Sequence, residues 1–172
     1  LTARGPCRFG VYGSLYRIAL ERLGLAERVA LVSPDDTDYF AGMSAGFAAK
    51  LWIGFVVHDL LEAMLLFTRP VERERGAADA TFARFLADLL ALMERRAAGS
   101  LTAALIELGT GMWGTRSLVR RAAAEFAALA DLGREVPSVA VVGEIYVRLD
   151  PFANDSLVRK LEDRGLRVRF AP

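Results

Sequence analysis

The distribution of apolar positions along the chain predicts mainly helices. Residues 45–67 are apolar almost throughout, and the Arg69-Pro70 pair that follows should end a helix, because proline disfavours the helical conformation of the residue before it. Between residues 77 and 96 the apolar side chains recur every three or four positions, with charged residues on the opposite face, which is typical of an amphipathic helix. A further helix is predicted over residues 115–132.

The N-terminal part of the chain carries one helical and one strand-like pattern. Mixed three- and four-residue spacing predicts a helix over residues 11–25, with Gly24 as its stop. Residues 28–36 (RVALVSPDD) form a short β-branched apolar run that ends in Ser-Pro, which predicts a buried strand followed by a loop. The charged segment 69–76 (RPVERERG) is predicted to be a solvated connection between helices.

The C-terminal part predicts a βαβ unit. Residues 136–148 are the most strand-like run in the chain, and residues 154–170 combine a capped helix, a stop at Gly165 and a second strand. A strand, a helix and a strand in this order imply a parallel pair with a right-handed crossover. The sequence therefore predicts an α/β fold that is rich in helices and has a small Rossmann-like parallel sheet, in a single domain over residues 1–172.

Composition and charge narrow the possible partners. The chain of 172 residues has 22 basic and 21 acidic side chains, so no strong field exists to attract nucleic acid or an anionic membrane. Its most apolar region contains charged or titratable residues, whereas a spanning helix needs roughly 20 nearly uncharged positions. These residues are Lys50, His58, Asp59 and Glu62. We expect a soluble, cytoplasmic protein, and the ends of the sequence indicate a piece of a larger protein.

The segment GTGMWG, residues 109–114, matches the dinucleotide-binding pattern G-x-G-x-x-G, and Glu135 follows about twenty residues later. A functional fingerprint of this kind follows a strand and opens a helix, so that the helix N-terminus can hold a pyrophosphate. Residues 100–109 instead have a helical pattern. A glycine loop between two helices is the favoured interpretation, with nucleotide binding as the alternative.

The apolar helix over 45–67 contains the only histidine of the chain. His58 lies beside Asp59, with Glu62 one turn further on, so its imidazole could act as a base or as a metal ligand. A complete metal site would need more ligands, and a structural histidine is favoured. The aromatic residues of the same helix are predicted to belong to the core. They are Trp52, Phe55 and Phe67.

The loop after the predicted C-terminal strand is the main candidate for a ligand site. In an open parallel sheet, ligands collect beyond the carboxyl ends of the strands. Four polar residues of this loop are candidates for substrate binding, namely Glu144, Arg148, Asp150 and Asn154. The alternative is structural, because Asp-Pro favours a turn and Asn154 or Asp155 would cap the next helix.

The single cysteine, Cys7, lies in the turn-like segment GPCRFG. Glycines on both sides leave room for a bulky inorganic group, Arg8 favours the thiolate, and thiolates are the ligands of iron–sulfur clusters. One thiolate cannot hold a four-iron cluster, so the other ligands would lie outside this piece. The alternative is an inert thiol.

Two segments together resemble a known family. Residues 5–25 (GPCRFGVYGSLYRIALERLGL) and 139–172 (VAVVGEIYVRLDPFANDSLVRKLEDRGLRVRFAP) are similar to proteins related to the subunits of 2-hydroxyglutaryl-CoA dehydratase and benzoyl-CoA reductase, including proteins described as CoA-substrate-specific enzyme activases. Residues 59–72 (DLLEAMLLFTRPVE) also fit the pattern of this family.

The resemblance implies a low-potential 4Fe-4S or double-cubane cluster that is bound by cysteines from two α/β lobes and reduced by an ATP-dependent activase. In the characterised relatives, the reduced cluster supplies an electron that generates a ketyl radical from a 2-hydroxyacyl-CoA. By this resemblance Cys7 is a metal ligand, and the chain is part of an iron–sulfur, electron-transferring dehydratase (a lyase) with an acyl-CoA substrate. This fragment alone should then be inactive. The alternative from a different class is a non-catalytic docking or scaffold lobe for the activase.

Overall fold

The computed structural model describes residues 9–31, 43–95 and 100–170. Within these ranges the chain forms seven α-helices and two short β-strands. In chain order they are α1 (Phe9–Arg22), α2 (Ala45–Thr68), α3 (Ala77–Glu94), α4 (Leu101–Thr110), α5 (Thr115–Leu129), β1 (Ser138–Val141), α6 (Ile145–Leu149), α7 (Leu157–Glu162) and β2 (Arg167–Phe170). The predicted helices over 11–25, 45–67, 77–96 and 115–132 are confirmed, with boundaries that differ by a few residues.

The core lies between α2, α3 and α5, which pack against one another. Each helix contributes apolar residues three or four positions apart, so that they fall on one face. The buried cluster consists of Val57, Leu61, Leu65, Ala78, Phe85, Leu89, Leu118, Ala122 and Phe126. Phe85 is fully buried, as the predicted stripe on α3 requires, whereas Leu90 of the same stripe is exposed.

The aromatic residues of α2 do not belong to this core, and their predicted burial is wrong. Trp52 is 61% exposed, and Phe55 and Phe67 are also exposed. They lie away from the face that carries Leu61 and Leu65, the face that packs on α3 and α5. The guanidinium of Arg167 lies 4.1 Å from the centre of the Phe67 ring, so the aromatic residue supports β2 from outside the core.

The connection between α2 and α3 is predicted to be solvated, and this is wrong for its first residues, since Pro70 and Val71 are buried, whereas residues 73–75 are exposed. A 3₁₀ turn over Arg69–Val71 follows α2 directly, and Val71 is buried. The carboxylate of Glu72 accepts hydrogen bonds from the backbone N–H groups of Gly76, at 2.7 Å, and Ala78, at 2.8 Å. Glu72 thereby satisfies donors at the start of α3 that have no partner within the helix.

The predicted strand over residues 28–36 is not present in its described part. The backbone N–H groups of Arg28 and Val29 both donate to the carbonyl oxygen of Leu25, which closes a turn instead of extending the chain. Val29 is exposed. Residues 32–36 lie outside the described ranges, as does Cys7.

The C-terminal segment forms the predicted parallel pair. β1 and β2 pair with Ser138 opposite Arg167 and Val141 opposite Phe170. β1 is shorter than the predicted strand over 136–148, because the chain leaves the strand at Val141 and starts α6 at Ile145. Gly143 lies between them with φ of 137°, a conformation that favours glycine. Two strands in the described chain establish a helix-rich α/β class but do not establish a Rossmann-like fold.

Among the described residues, Ala45–Val71 is long and apolar enough to cross a membrane, a property that core helices of soluble proteins share. α2 packs against α3, α4, α5 and β2, and 22% of its most apolar stretch is buried. The soluble protein expected from the sequence stays a prediction.

Candidate functional site

The predicted polar loop lies between β1 and α7, and two of its carboxylates form local hydrogen bonds. Glu144 is the N-cap of α6, and its Oε2 accepts a hydrogen bond of 2.9 Å from the backbone N–H of Val147. Oδ1 of Asp150 accepts a hydrogen bond of 2.8 Å from the N–H of Ala153. Both contacts are of the kind that defines a helix cap or a turn.

Asn154 joins the end of α6 to the start of α7. Its Nδ2 donates to the carbonyl oxygens of Val147, at 3.1 Å, and Arg148, at 3.0 Å. Its Oδ1 accepts from the N–H of Leu157 at 3.1 Å. These contacts favour the structural alternative for Asn154, and a ligand role for this loop stays a prediction.

His58, Asp59 and Glu62 lie together on the surface of α2. One potential ligand atom from each lies within 4.8 Å of the others, and Nδ1 of His58 is 3.9 Å from Oδ1 of Asp59. The imidazole also makes an edge contact with the Phe82 ring, with 6.2 Å between the ring centres. Because the carboxylate of Asp59 is well exposed to water, the triad is a weak candidate for a metal site, and the ring contact favours a structural histidine.

A charged network that the sequence did not predict joins α7 to the helical core. The guanidinium of Arg69 binds the carboxylate of Glu162 in a bidentate manner, at 2.6 and 2.9 Å, and also reaches Oδ1 of Asp79 at 3.1 Å. Arg159 makes two further hydrogen bonds to Asp79, at 2.9 and 2.6 Å. The side chains of Arg69 and Glu162 are only 10% and 6% exposed. No local pattern could have revealed this network, because Arg159 and Glu162 are 80 or more residues away in the sequence from their partners Asp79 and Arg69.

The network changes the titration of Asp79. Burial by itself would raise the pKa of Asp79, but hydrogen bonds from Arg159 and Arg69 outweigh it and hold the pKa below its ordinary value. The ionised form of Asp79 is therefore favoured by folding, and the stabilisation that it provides depends on pH.

We expect Asp79→Asn to remove a pH-dependent part of the stability. A depressed pKa in the folded state gives stabilisation that is complete above the pKa of the unfolded chain, about 4, and that is lost as the pH falls through the folded value. Urea unfolding from pH 7 to pH 3 should show that wild type has a higher free energy of unfolding than Asp79→Asn, and that this difference narrows as the pH falls. Asp163→Asn, at a well-exposed pair with Arg75, is the control and should show little pH-dependent gap. A constant gap for Asp79→Asn would contradict the role of the network.

Lys50, one of the charged residues that the sequence shows within its most apolar region, is buried in the folded chain. It is 3% exposed, and its Nζ donates a hydrogen bond to the backbone carbonyl oxygen of Arg95, just after the end of α3. Burial lowers the pKa of Lys50 and the Arg95 guanidinium acts in the same direction, while Glu107 acts against both. This buried ammonium lies between α2, α3 and α4.

The GTGMWG segment is a loop between two helices, as its context predicted. α4 ends at Thr110, Gly111 follows as its C-cap, and α5 starts at Thr115. Met112 and Trp113 have φ values of 52° and 55°, an uncommon left-handed conformation for residues other than glycine. The dinucleotide fingerprint requires a strand before the glycines, and α4 occupies that position here.

Beside this loop is an open cleft of about 770 Å³. It lies between the end of α3, the end of α4 and the start of α5. The charged and aromatic residues that line it are Arg95, Glu107, Trp113, Arg116 and Arg120. The sequence did not predict this cluster, since its arginines come from two segments that meet only in the folded chain.

Comparison with protein-family models, with curated proteins and with solved structures finds no match to this chain.

Proposed function

We propose that this chain is a non-catalytic docking lobe that binds a partner protein along the outer edge of β1. The observation that carries this proposal is a parallel pair of strands whose outer edge is uncharged and, among the described residues, is paired with no further strand. Parallel sheets normally have further strands and are covered on both faces, and an isolated two-stranded sheet is marginally stable. A strand from a partner would extend this sheet.

The hydrogen-bond pattern defines which backbone groups of β1 face outward. The N–H of Arg167 donates to the carbonyl oxygen of Pro137 at 2.8 Å. In the observed parallel register, the polar groups of Val139 therefore point toward β2, and those of Ala140 and Val142 point away from it. A row of outward N–H and C=O groups is the feature to which an added strand pairs.

The surroundings of this edge also support docking. Natural sheet edges are commonly protected by charged residues, but residues 137–143 carry no charge. Val142 is exposed, and so are Ile145 and Tyr146 of α6 and Phe152 just after it. The edge and these apolar side chains together offer main-chain pairing and apolar area to one partner.

The polar loop near this edge is occupied by local contacts. Glu144, Asp150 and Asn154 each bind backbone groups within residues 144–157, so their side chains hold the shape of the loop. This use of the polar groups supports a docking role for the lobe over a catalytic one.

The family resemblance names an ATP-dependent activase as the partner of this lobe. The iron–sulfur role that the same resemblance implies stays a separate prediction. It depends on Cys7, which lies outside the described residues.

Ala140→Pro is expected to weaken binding to the purified activase by about tenfold or more, equivalent to at least about 1.4 kcal/mol. Proline removes the outward N–H of residue 140, a position in an edge strand where proline is tolerated, and leaves the pairing of β1 with β2 in place. Binding can be measured by biolayer interferometry with the immobilised lobe.

Ala140→Thr is the matched control, because it changes the side chain at the same position and keeps the N–H group. It should bind within about twofold of wild type, a change of about 0.4 kcal/mol. Circular dichroism should show that both variants are folded. If Ala140→Pro is folded and binds as tightly as Ala140→Thr, or if wild type does not bind the activase, the proposal is wrong.

A further inference from the structure

Three arginines line the cleft beside the glycine loop, one from the end of α3 and two from α5. Arg95 follows α3, and Arg116 and Arg120 lie one turn apart near the start of α5. Within the described parts of the chain, the ion pairs do not include any of these three side chains. The cleft therefore has cationic groups that no observed contact neutralises.

The charge of the cleft favours an anion. Glu107 is the one carboxylate among its lining residues, against three arginines. Like charges four residues apart on a helix, as at Arg116 and Arg120, repel each other, and a bound anion would relieve this repulsion. Lys50, which is buried, interacts electrostatically with two of the lining residues, Arg95 and Glu107.

A second, mainly apolar cavity of about 430 Å³ adjoins the cleft. Ile53, Val56 and Leu60 of α2 form one side of it. The opposite side includes Leu108 and Val119, from α4 and α5. This groove and the cleft share three lining residues, Gly111, Arg116 and Arg120.

From this arrangement we propose that the two cavities form one binding site for an amphipathic anion. The ligand has a phosphate or carboxylate head group and an aliphatic chain. Its head lies in the cleft against the three guanidinium groups, which bind such oxygens through charge-assisted hydrogen bonds. Its chain lies in the groove between α2 and α5, where it covers apolar side chains that are now exposed to water.

The fluorescence of Trp113 reports on the proposed site directly. The chain has two tryptophans, and the other, Trp52, is exposed on α2, so Trp52→Phe leaves Trp113 as the only indole. This single-tryptophan protein is titrated with octyl phosphate, inorganic phosphate and octyl glucoside, each below its critical micelle concentration where it has one. We expect octyl phosphate to bind at least about tenfold more tightly than either of the other two, a difference of about 1.4 kcal/mol.

Substitutions distinguish how much the phosphate head group and the aliphatic chain of the ligand each contribute to binding. Arg116→Gln with Arg120→Gln should weaken octyl phosphate binding by about tenfold, or about 1.4 kcal/mol, while Arg134→Gln, at an exposed position outside the site, should not. Leu60→Gln should weaken binding of octyl phosphate without changing that of inorganic phosphate. Thermal unfolding of each variant checks that it is folded.

Several results would overturn the proposal. If inorganic phosphate binds as tightly as octyl phosphate, the site is a simple anion site. If octyl glucoside binds as tightly as octyl phosphate, the site is an apolar groove only. Undiminished binding by the folded double arginine variant would exclude the cleft. Co-sedimentation with phosphatidylglycerol vesicles, in a protein that does not bind soluble octyl phosphate, would identify a membrane surface instead.

Discussion

Arg69→Met is expected to lower the free energy of unfolding by about 3–5 kcal/mol, because it leaves buried carboxylate charge without its partner. The guanidinium of Arg69 makes two hydrogen bonds to Glu162 and one to Asp79, and Glu162 is 6% exposed. Without Arg69, the poorly solvated carboxylate of Glu162 would lose both of these hydrogen bonds. Urea unfolding at pH 7, followed by circular dichroism, measures the loss.

The double variant Arg69→Met with Glu162→Leu tests the cause of this loss. Removing both members of a buried pair costs much less than removing one, since no unpaired charge is left. We expect it to recover at least half of the stability lost by Arg69→Met. Arg75→Met is the surface control: its pair with Asp163 is exposed, with 91% of the arginine side chain in contact with solvent, and it should cost less than about 1 kcal/mol. An equal loss for Arg75→Met and Arg69→Met would contradict the role given to burial.

The long helices were predictable because their cause is local. The apolar period of residues 77–96 and the proline after Arg69 act within a few residues, and both correctly indicate where α2 and α3 lie. The parallel pairing of β1 and β2 was also predictable, because a strand, a helix and a strand in close succession allow few other arrangements.

The lengths and burial of these elements were less predictable. The run over 136–148 is rich in β-branched and aromatic residues, but Gly143 and the capping carboxylate of Glu144 end the strand and start α6. The apolar character of α2 covers its whole circumference, so the sequence could not show which side faces the core. Trp52 and Phe55 lie on the exposed side.

The charged groups that matter most in the folded chain could not be predicted from the sequence. Asp79, Arg159 and Glu162 look like ordinary surface residues of amphipathic helices, and they meet only because α7 packs near the turn after α2. The arginines of the cleft likewise come from α5 and the end of α3. The sequence pointed to the loop over 144–154, whose polar side chains bind their own backbone, since local polar clusters serve turns as readily as ligands.

Phe85→Ala is expected to cost about 3–5 kcal/mol of unfolding free energy, the range for truncation of a fully buried aromatic residue. Phe85 is 0% exposed, on the face of α3 that packs against α2 and α5. The guanidinium groups of Arg84 and Arg121 lie 4.6 and 5.7 Å from the centre of its ring, so truncation also removes two cation–π contacts. Chemical unfolding monitored by circular dichroism gives the difference.

Leu90→Ala is the matched control, since Leu90 lies on the same helix and is 55% exposed. Alanine is at least as good a helix former as leucine, and truncation of an exposed side chain leaves no cavity. Leu90→Ala should therefore lower the free energy of unfolding by less than about 1 kcal/mol. Phe85→Leu should fall between the two, because leucine fills part of the space that alanine leaves empty. If Phe85→Ala costs no more than Leu90→Ala, the junction of α2, α3 and α5 does not stabilise the fold. α7, which Arg69 joins to that junction, and β2, which packs on α2, would then lack the rigid support on which a docking edge at β1 depends.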